Sequence, residues 1–201
     1  MIIVDGCRSE QQLSNFANLE EVLANVMDDE KMDGRIVTDV FVNNESFSEI
    51  YPHQAEDMTC DGITSVEVRS LPEEELAVDM AGELGKVARM LESGARNVAR
   101  LFREASDADA LELLQDELDV TRDFMGMISH LRDRYLGGAD ADFLARSEKL
   151  SDLISEMSEV MESEDWILLA DLLEFEFAPL CEEWRAVGEA MHRRLAGMRR
   201  Q

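Results

Sequence analysis

The feature that most constrains the fold is the stretch 163–201, which holds both tryptophans of the chain. When this stretch is placed on a helix at about 100° per residue, its apolar residues form one long stripe. The stripe comprises Trp166, Leu169, Leu173, Phe177, Leu180, Trp184, Val187, Met191 and Leu195. A second apolar arc, Leu168, Leu172 and Phe175, lies beside its first half. Because a helix with so wide an apolar arc must contact more than one neighbour, we predict that it is the central packing helix of a bundle.

Three further helical patterns precede this stretch. The four predicted helices begin near Pro72, Ser106, Asp140 and Ser163. Proline at a first helical position followed by acidic residues is a typical helix start, and Gly137-Gly138 is a typical helix end. Long helices with short connections predict an antiparallel four-helix bundle over residues 72–201.

Residues 1–71 carry a different pattern. Segments 2–4, 35–42, 46–50 and 63–68 are rich in β-branched residues or alternate in polarity, which predicts strands. One amphipathic helix is predicted over about 14–28. We therefore predict a small α+β domain over 1–71. Its order of elements resembles the ubiquitin-like β-grasp.

Charge and composition exclude several classes of protein. The net charge of −26 disfavours nucleic acid and anionic membrane surfaces, whereas 45% apolar residues indicate a packed core. No apolar run approaches the roughly 20 residues that span a bilayer, and the N-terminus lacks the basic region of a signal peptide. Cys7, Cys60 and Cys181 have no metal or redox spacing, which fits a reducing cytoplasm. We predict a cytoplasmic protein without nucleic-acid or membrane partners.

No pattern predicts a catalytic, metal or cofactor site. One Glu-x-x-His motif is present, Glu189 to His192, whereas a di-metal bundle site needs two such motifs. There is no nucleophile elbow and no glycine-rich phosphate loop. His53 and Cys60 are close in sequence, but no third residue is placed to orient them. The sequence therefore favours a protein that is not an enzyme.

Glu176 is the first candidate site residue, because it falls within the apolar arc of the fourth helix. A carboxylate in that position must be paired, hydrogen-bonded or neutral. One alternative is an internal salt bridge to an arginine from another helix. The other is a polar group inside a ligand pocket near the kink that Pro179 is expected to introduce near Phe175.

A line of arginines on the first long helix is the second candidate. Arg89, Arg96, Arg100 and Arg103 fall within about 60° of one another, opposite the core stripe. Such a line could bind an acidic partner or a phosphate-bearing ligand. Alternatively, it pairs with acidic neighbours such as Glu92 and Glu104, or with the first domain.

Three functions remain open. The leading hypothesis is a non-enzymatic protein-interaction module, bacterial in style, that acts as an adaptor, export chaperone or regulatory subunit. The alternative is a small-molecule-binding bundle, either a binding protein or an enzyme, with its pocket near Glu176 and Pro179. The third hypothesis is a structural role through self-association, by a helix face or an exposed edge strand.

Overall fold

The computed structural model describes residues 1–50, 52–138 and 140–198. The chain divides into two compact units, Met1–Leu76 and Ala77–Gln201. A five-stranded mixed sheet forms the framework of the first unit, and long helices form the second. The predicted fold class, an α+β chain in which a small mixed domain precedes a helical bundle, is therefore confirmed.

The sheet of the first unit has a central parallel pair. Its strands are β1 (Ile2–Val4), β2 (Cys7–Arg8), β3 (Arg35–Val42), β4 (Glu45–Phe47) and β5 (Val66–Pro72). They are ordered β2-β1-β5-β3-β4, with β1 parallel to β5 and all other pairs antiparallel. This order agrees with the predicted resemblance to the β-grasp.

Two short helices accompany the sheet, α1 (Leu19–Met27) and α2 (Gln54–Asp57). Helix α1 begins later than predicted because Asn18 is its cap, accepting a hydrogen bond from the Glu21 N–H at 3.0 Å. The buried side chains of α1 share one apolar core with the sheet. The core residues from these elements are Leu19, Val22, Val26, Ile2, Val42, Val66 and Val68.

Strand β2 and the end of β5 were not predicted. Strand β2 has only two residues, which is too short for an alternation of polar and apolar residues to be seen in the sequence. The end of β5 is polar but is held by a hydrogen-bonded group: Ser70 donates through its N–H and its hydroxyl to Asp5, both at 2.7 Å. The Arg35 Nε donates to the Ser70 Oγ at 2.8 Å. Ser70 is consequently buried, although it lies next to the boundary predicted between the two domains.

The second unit is a four-helix bundle. Its first three helices are α3 (Glu73–Arg103), which begins in the first unit, α4 (Asp107–Tyr135) and α5 (Ala141–Glu162). The fourth helical rod consists of α6 (Trp166–Leu172), a π-helical turn (Leu173–Phe177) and α7 (Ala178–Met198). No helix among the described residues combines the length and apolar character needed to cross a membrane.

Pairs of residues that meet across the bundle show that α3 and α7 are antiparallel. A Cβ added at Gly82 would lie 3.3 Å from His192, and one added at Gly188 would lie 3.6 Å from the backbone nitrogen of Gly85. Residue numbers therefore increase along α3 in the direction in which they decrease along α7. The short side chains at Gly85 and Gly188 allow these two helices to approach closely.

The apolar stripe predicted for the fourth rod is buried or half-buried along its length. Phe177, Leu169, Leu173 and Leu180 are completely buried. Trp184 packs edge-on against Phe124 of α4 and Phe143 of α5. The fourth rod therefore contacts several neighbours, as its wide apolar arc predicts.

Candidate functional site

The π-helical turn is the main irregularity of the fourth rod. Its defining hydrogen bond runs from the Ala178 N–H to the Leu173 carbonyl, five residues back instead of four. Pro179 follows immediately. In a regular helix the ring of Pro179 would clash with the carbonyl of Phe175, and proline has no N–H that could donate a hydrogen bond to that carbonyl. A kink was predicted near Phe175, and the structure has a π turn at this place instead of a regular α-helical turn.

The π turn corrects the prediction for Glu176. In a regular α-helix, Glu176 would lie one turn from both Leu172 and Leu180, which are buried. With the extra residue in the turn, Phe177 is buried as the stripe predicts, whereas Glu176 is exposed. Glu176 makes neither an ion pair nor a hydrogen bond with any other described residue. It is therefore not the buried carboxylate that the helical wheel predicts.

Apolar side chains are exposed both on this turn and on α6 before it. Of the second apolar arc, Leu172 alone is buried, whereas Leu168 is 42% exposed and Phe175 is 66% exposed. Ile167 is 59% exposed on the same short helix. We call Ile167, Leu168 and Phe175 the Phe175 patch. The prediction that the second arc is a packing surface within the bundle is wrong for Leu168 and Phe175.

An ion-pair cluster borders the Phe175 patch. Arg103 of α3 donates hydrogen bonds to Asp171 at 2.7 Å and to Glu174. Its guanidinium carbon lies 5.8 Å from the centre of the Phe175 ring. The hydrogen bonds that Arg103 donates to Asp171 and Glu174 raise the pKa of its guanidinium, so this side chain is charged at any physiological pH.

The four candidate arginines of α3 differ in their surroundings. Arg96 pairs with Glu92 at 3.1 Å and Arg100 pairs with Glu104 at 2.5 Å, as one of the two alternatives predicts. Arg103 pairs with the fourth rod instead. Arg89 is exposed and has no hydrogen bond or ion pair within the described part of the chain. A role of this line in binding a partner stays a prediction.

Glu176 lies at an open depression of about 350 Å³ beside α5. Glu148, Asp152 and Glu156 also line this depression, together with Lys149. The surroundings are strongly acidic, so they suit a cationic group better than the anionic ligands considered for the arginine line. Whether the depression binds any ligand stays a prediction.

Sequence reasoning missed Glu117 of α4, which reaches into the bundle. Its Oε1 atom is buried and has no hydrogen-bond partner among the described residues. A Cβ added at Gly94 of α3 would lie 2.1 Å from Oε2, so this carboxyl occupies the space that the glycine leaves. Burial raises the pKa of Glu117 to about 7.

A regular spacing in the sequence could have revealed Glu117. The inward positions of α4 follow one another at steps of four and three residues: Ala110, Leu114, Glu117, Thr121, Phe124, Ile128 and Leu131. This is the spacing of a bundle seam. If only apolar residues are counted, this spacing is interrupted at Glu117 and Thr121, so the seam is not recognised. The Thr121 hydroxyl donates to the Glu117 carbonyl at 2.7 Å, which allows it to be buried.

The cysteines and histidines form no reactive group. All three cysteines are free thiols, and burial together with the charges of Glu117 and Glu92 raises the pKa of Cys181 to about 12. His192 lies with Nδ1 3.0 Å from the Val78 carbonyl. Within residues 1–50, 52–138 and 140–198, no group of three or more His, Cys, Asp or Glu side chains could hold a metal ion.

Two protein-family models match the chain. Residues 1–71 match a domain of unknown function, DUF8043. Residues 79–187, more than half of the chain, match another domain of unknown function, DUF8042. The chain belongs to the DUF8042 family. The DUF8042 match contains the Phe175 patch, Glu117 and most of the bundle. No curated protein and no solved structure matches the chain significantly.

Proposed function

We propose that this DUF8042 protein is a non-enzymatic protein-interaction module, and that the Phe175 patch is its contact surface for a partner with a basic surface. The observation that carries the proposal is the 66% exposure of Phe175 on the helical rod whose other side forms the bundle core. Large aromatic side chains are frequent anchors in protein interfaces.

The free energy that such a contact can supply supports the proposal. Removing a phenylalanine side chain from water stabilises a complex by about 1.5–3 kcal/mol, and the neighbouring Ile167 and Leu168 add to this area. Single exposed apolar residues are common on soluble proteins. Three of them within nine residues, with Phe175 itself on the π turn, are a more specific feature, since π turns occur frequently at functional sites.

The charge of the chain indicates which partner fits. The net charge is −26, and Asp171 and Glu174 lie beside the patch. A partner with an apolar anchor surrounded by lysine or arginine would be attracted electrostatically and then held by the apolar contact. An adaptor or regulatory subunit of the cytoplasm would work in this way, and three free thiols suit that compartment.

Site-specific photo-crosslinking tests the proposal. The photoreactive amino acid p-benzoylphenylalanine is introduced at Phe175, or as a control at Leu144, which is 56% exposed on α5. Both variants are irradiated in the cells that make the protein. We expect a discrete adduct with a basic protein from position 175 but not from 144, and a weaker adduct as salt is added to a lysate.

Three results would contradict the proposal. Identical adducts from both positions would show that the patch has no specificity. The absence of any adduct from position 175 would remove its basis. An adduct of twice the chain's own mass would instead favour self-association through this surface.

A further inference from the structure

A second surface of the bundle has different chemistry. A cleft of about 690 Å³ lies among the C-terminal end of α4, the first turns of α5 and the middle of α7. Leu136, Phe143, Val187 and Met191 provide its apolar surface. Three arginines, Arg132, Arg146 and Arg194, also line it. We call it the arginine cleft, and none of its residues belongs to the Phe175 patch.

Two of the three arginines are held in place. The guanidinium carbon of Arg132 lies 4.1 Å from the centre of the Phe143 ring, and Asp133 binds its Nη2 at 2.6 Å. Its side chain is only 16% exposed. Arg146 donates to Glu183 at 2.6 Å, and Lys149 approaches the other oxygen of Glu183 at 3.3 Å. Two cations therefore share one carboxylate.

Arg194 differs from the other two. It is exposed, and it forms no ion pair or hydrogen bond within the described part of the chain. Three carboxylates also line the cleft, those of Asp140 and Asp142 at the start of α5 and that of Glu183, and the Asp140 side chain accepts a hydrogen bond from the Asp142 N–H at 3.0 Å. The lining therefore carries equal numbers of arginines and carboxylates, so the cleft is less negative than a surface of net charge −26, and Arg194 is its arginine without an ion pair among the described residues.

We propose that the arginine cleft binds a small anionic molecule with an apolar body, such as an apolar carboxylate or sulfonate. The cleft volume lies in the range of about 300–1,000 Å³ that is usual for small-molecule sites. The apolar floor removes the body of the ligand from water. Arg194, which forms no ion pair among the described residues, binds the anionic group, and Arg146, which also pairs with Glu183, provides a second cation in the cleft.

Paired fluorescent probes test the proposal on the full-length protein. The anionic probe is 8-anilinonaphthalene-1-sulfonate, and its neutral analogue, N-phenyl-1-naphthylamine, shares the ring system but lacks the sulfonate. We expect the anionic probe to bind with a stoichiometry of one. Arg194→Ala should weaken this binding by about tenfold, as the loss of one charge-assisted contact does, and should leave binding of the neutral analogue unchanged.

Further variants separate the cleft from other surfaces. Ala190→Trp should abolish binding of the anionic probe, because an indole at this lining position fills the cleft from the surface of α7. Arg96→Ala, which removes an exposed arginine of α3, is the matched charge control and should change nothing. Phe175→Ser should also leave probe binding unchanged, so failure of the cleft proposal and failure of the Phe175 patch are distinguishable. Circular dichroism confirms that each variant is folded.

Several outcomes would overturn the proposal. Absence of a saturable site for the anionic probe would do so directly. So would unchanged affinity in both Arg194→Ala and Ala190→Trp, since the probe would then lie elsewhere. Equal weakening of both probes by Arg194→Ala would show that the cleft does not select anions.

Discussion

Glu117 leads to the sharpest prediction about stability. Its carboxyl has a pKa of about 7 in the folded protein, compared with 4.5 as its ordinary value. Because burial disfavours the charged form, the native state holds the proton more tightly than the unfolded chain does. Glu117 therefore contributes stability that is fully present below about pH 4.5 and is lost as the pH rises through 7.

The size of this effect follows from the shift. A change in pKa from 4.5 to about 7 corresponds to about 3.4 kcal/mol. Part of the Glu117 side chain still reaches solvent, which screens its charge, so we expect about 1–2.5 kcal/mol between pH 5 and pH 8. Glutamine has nearly the same shape and no charge at either pH. The variant Glu117→Gln should therefore exceed the wild type in stability mainly at pH 8.

Urea unfolding at pH 5 and pH 8 measures the effect. The control is Glu112→Gln, which removes the same charge from the exposed face of α4. Any general benefit of lowering the net charge of −26 appears in both variants. A gain for Glu117→Gln that is the same at both pH values, or no larger than the gain for Glu112→Gln, would refute the reasoning.

Three other predictions concern packing and domain structure. Phe177→Ala should lower the free energy of unfolding by about 3–5 kcal/mol, because Phe177 is completely buried. Phe175→Ala should lower the free energy of unfolding far less, and urea unfolding of both variants measures the difference. Gly126→Ala should raise the free energy of unfolding by about 0.5–1 kcal/mol, since no atom lies within 4 Å of the added Cβ in the middle of α4. We also propose that residues 72–201 fold alone, and circular dichroism of that fragment should show a helical, cooperatively melting protein.

The parts of the fold that could be predicted depend on local chemistry. Pro72, Asp140 and Gly137-Gly138 lie where the helices of the bundle begin or end. Caps and breakers act within one turn, so the sequence is sufficient to locate them. The eight residues of β3 were also predicted correctly, because alternation along a strand is a local pattern.

The surface features could not be predicted in the same way. A helical wheel assumes that each residue adds the same angle of rotation about the helix axis. The π turn at Leu173–Phe177 has a different angle, so the wheel gives the wrong directions for side chains in this turn. Pro179 predicts that a distortion occurs but not whether the helix kinks or widens. Consequently Glu176 was assigned to the core, and Phe175 was not recognised as exposed. The arginine cleft was missed because its residues come from three helices that are distant in sequence.

The two departures from regular packing in the bundle have different consequences. Glu117 lies on the seam of α4, where a leucine would pack with fewer penalties, so a carboxyl there makes stability depend on pH near neutrality. The π turn, in contrast, has its effect at the surface of the bundle, where it carries the exposed aromatic ring of Phe175. A regular helix over the same residues would place Glu176 inward. The turn instead leaves that charge in solvent while Phe177 stays in the core, and the exposed ring of Phe175 is the surface that we propose a partner contacts.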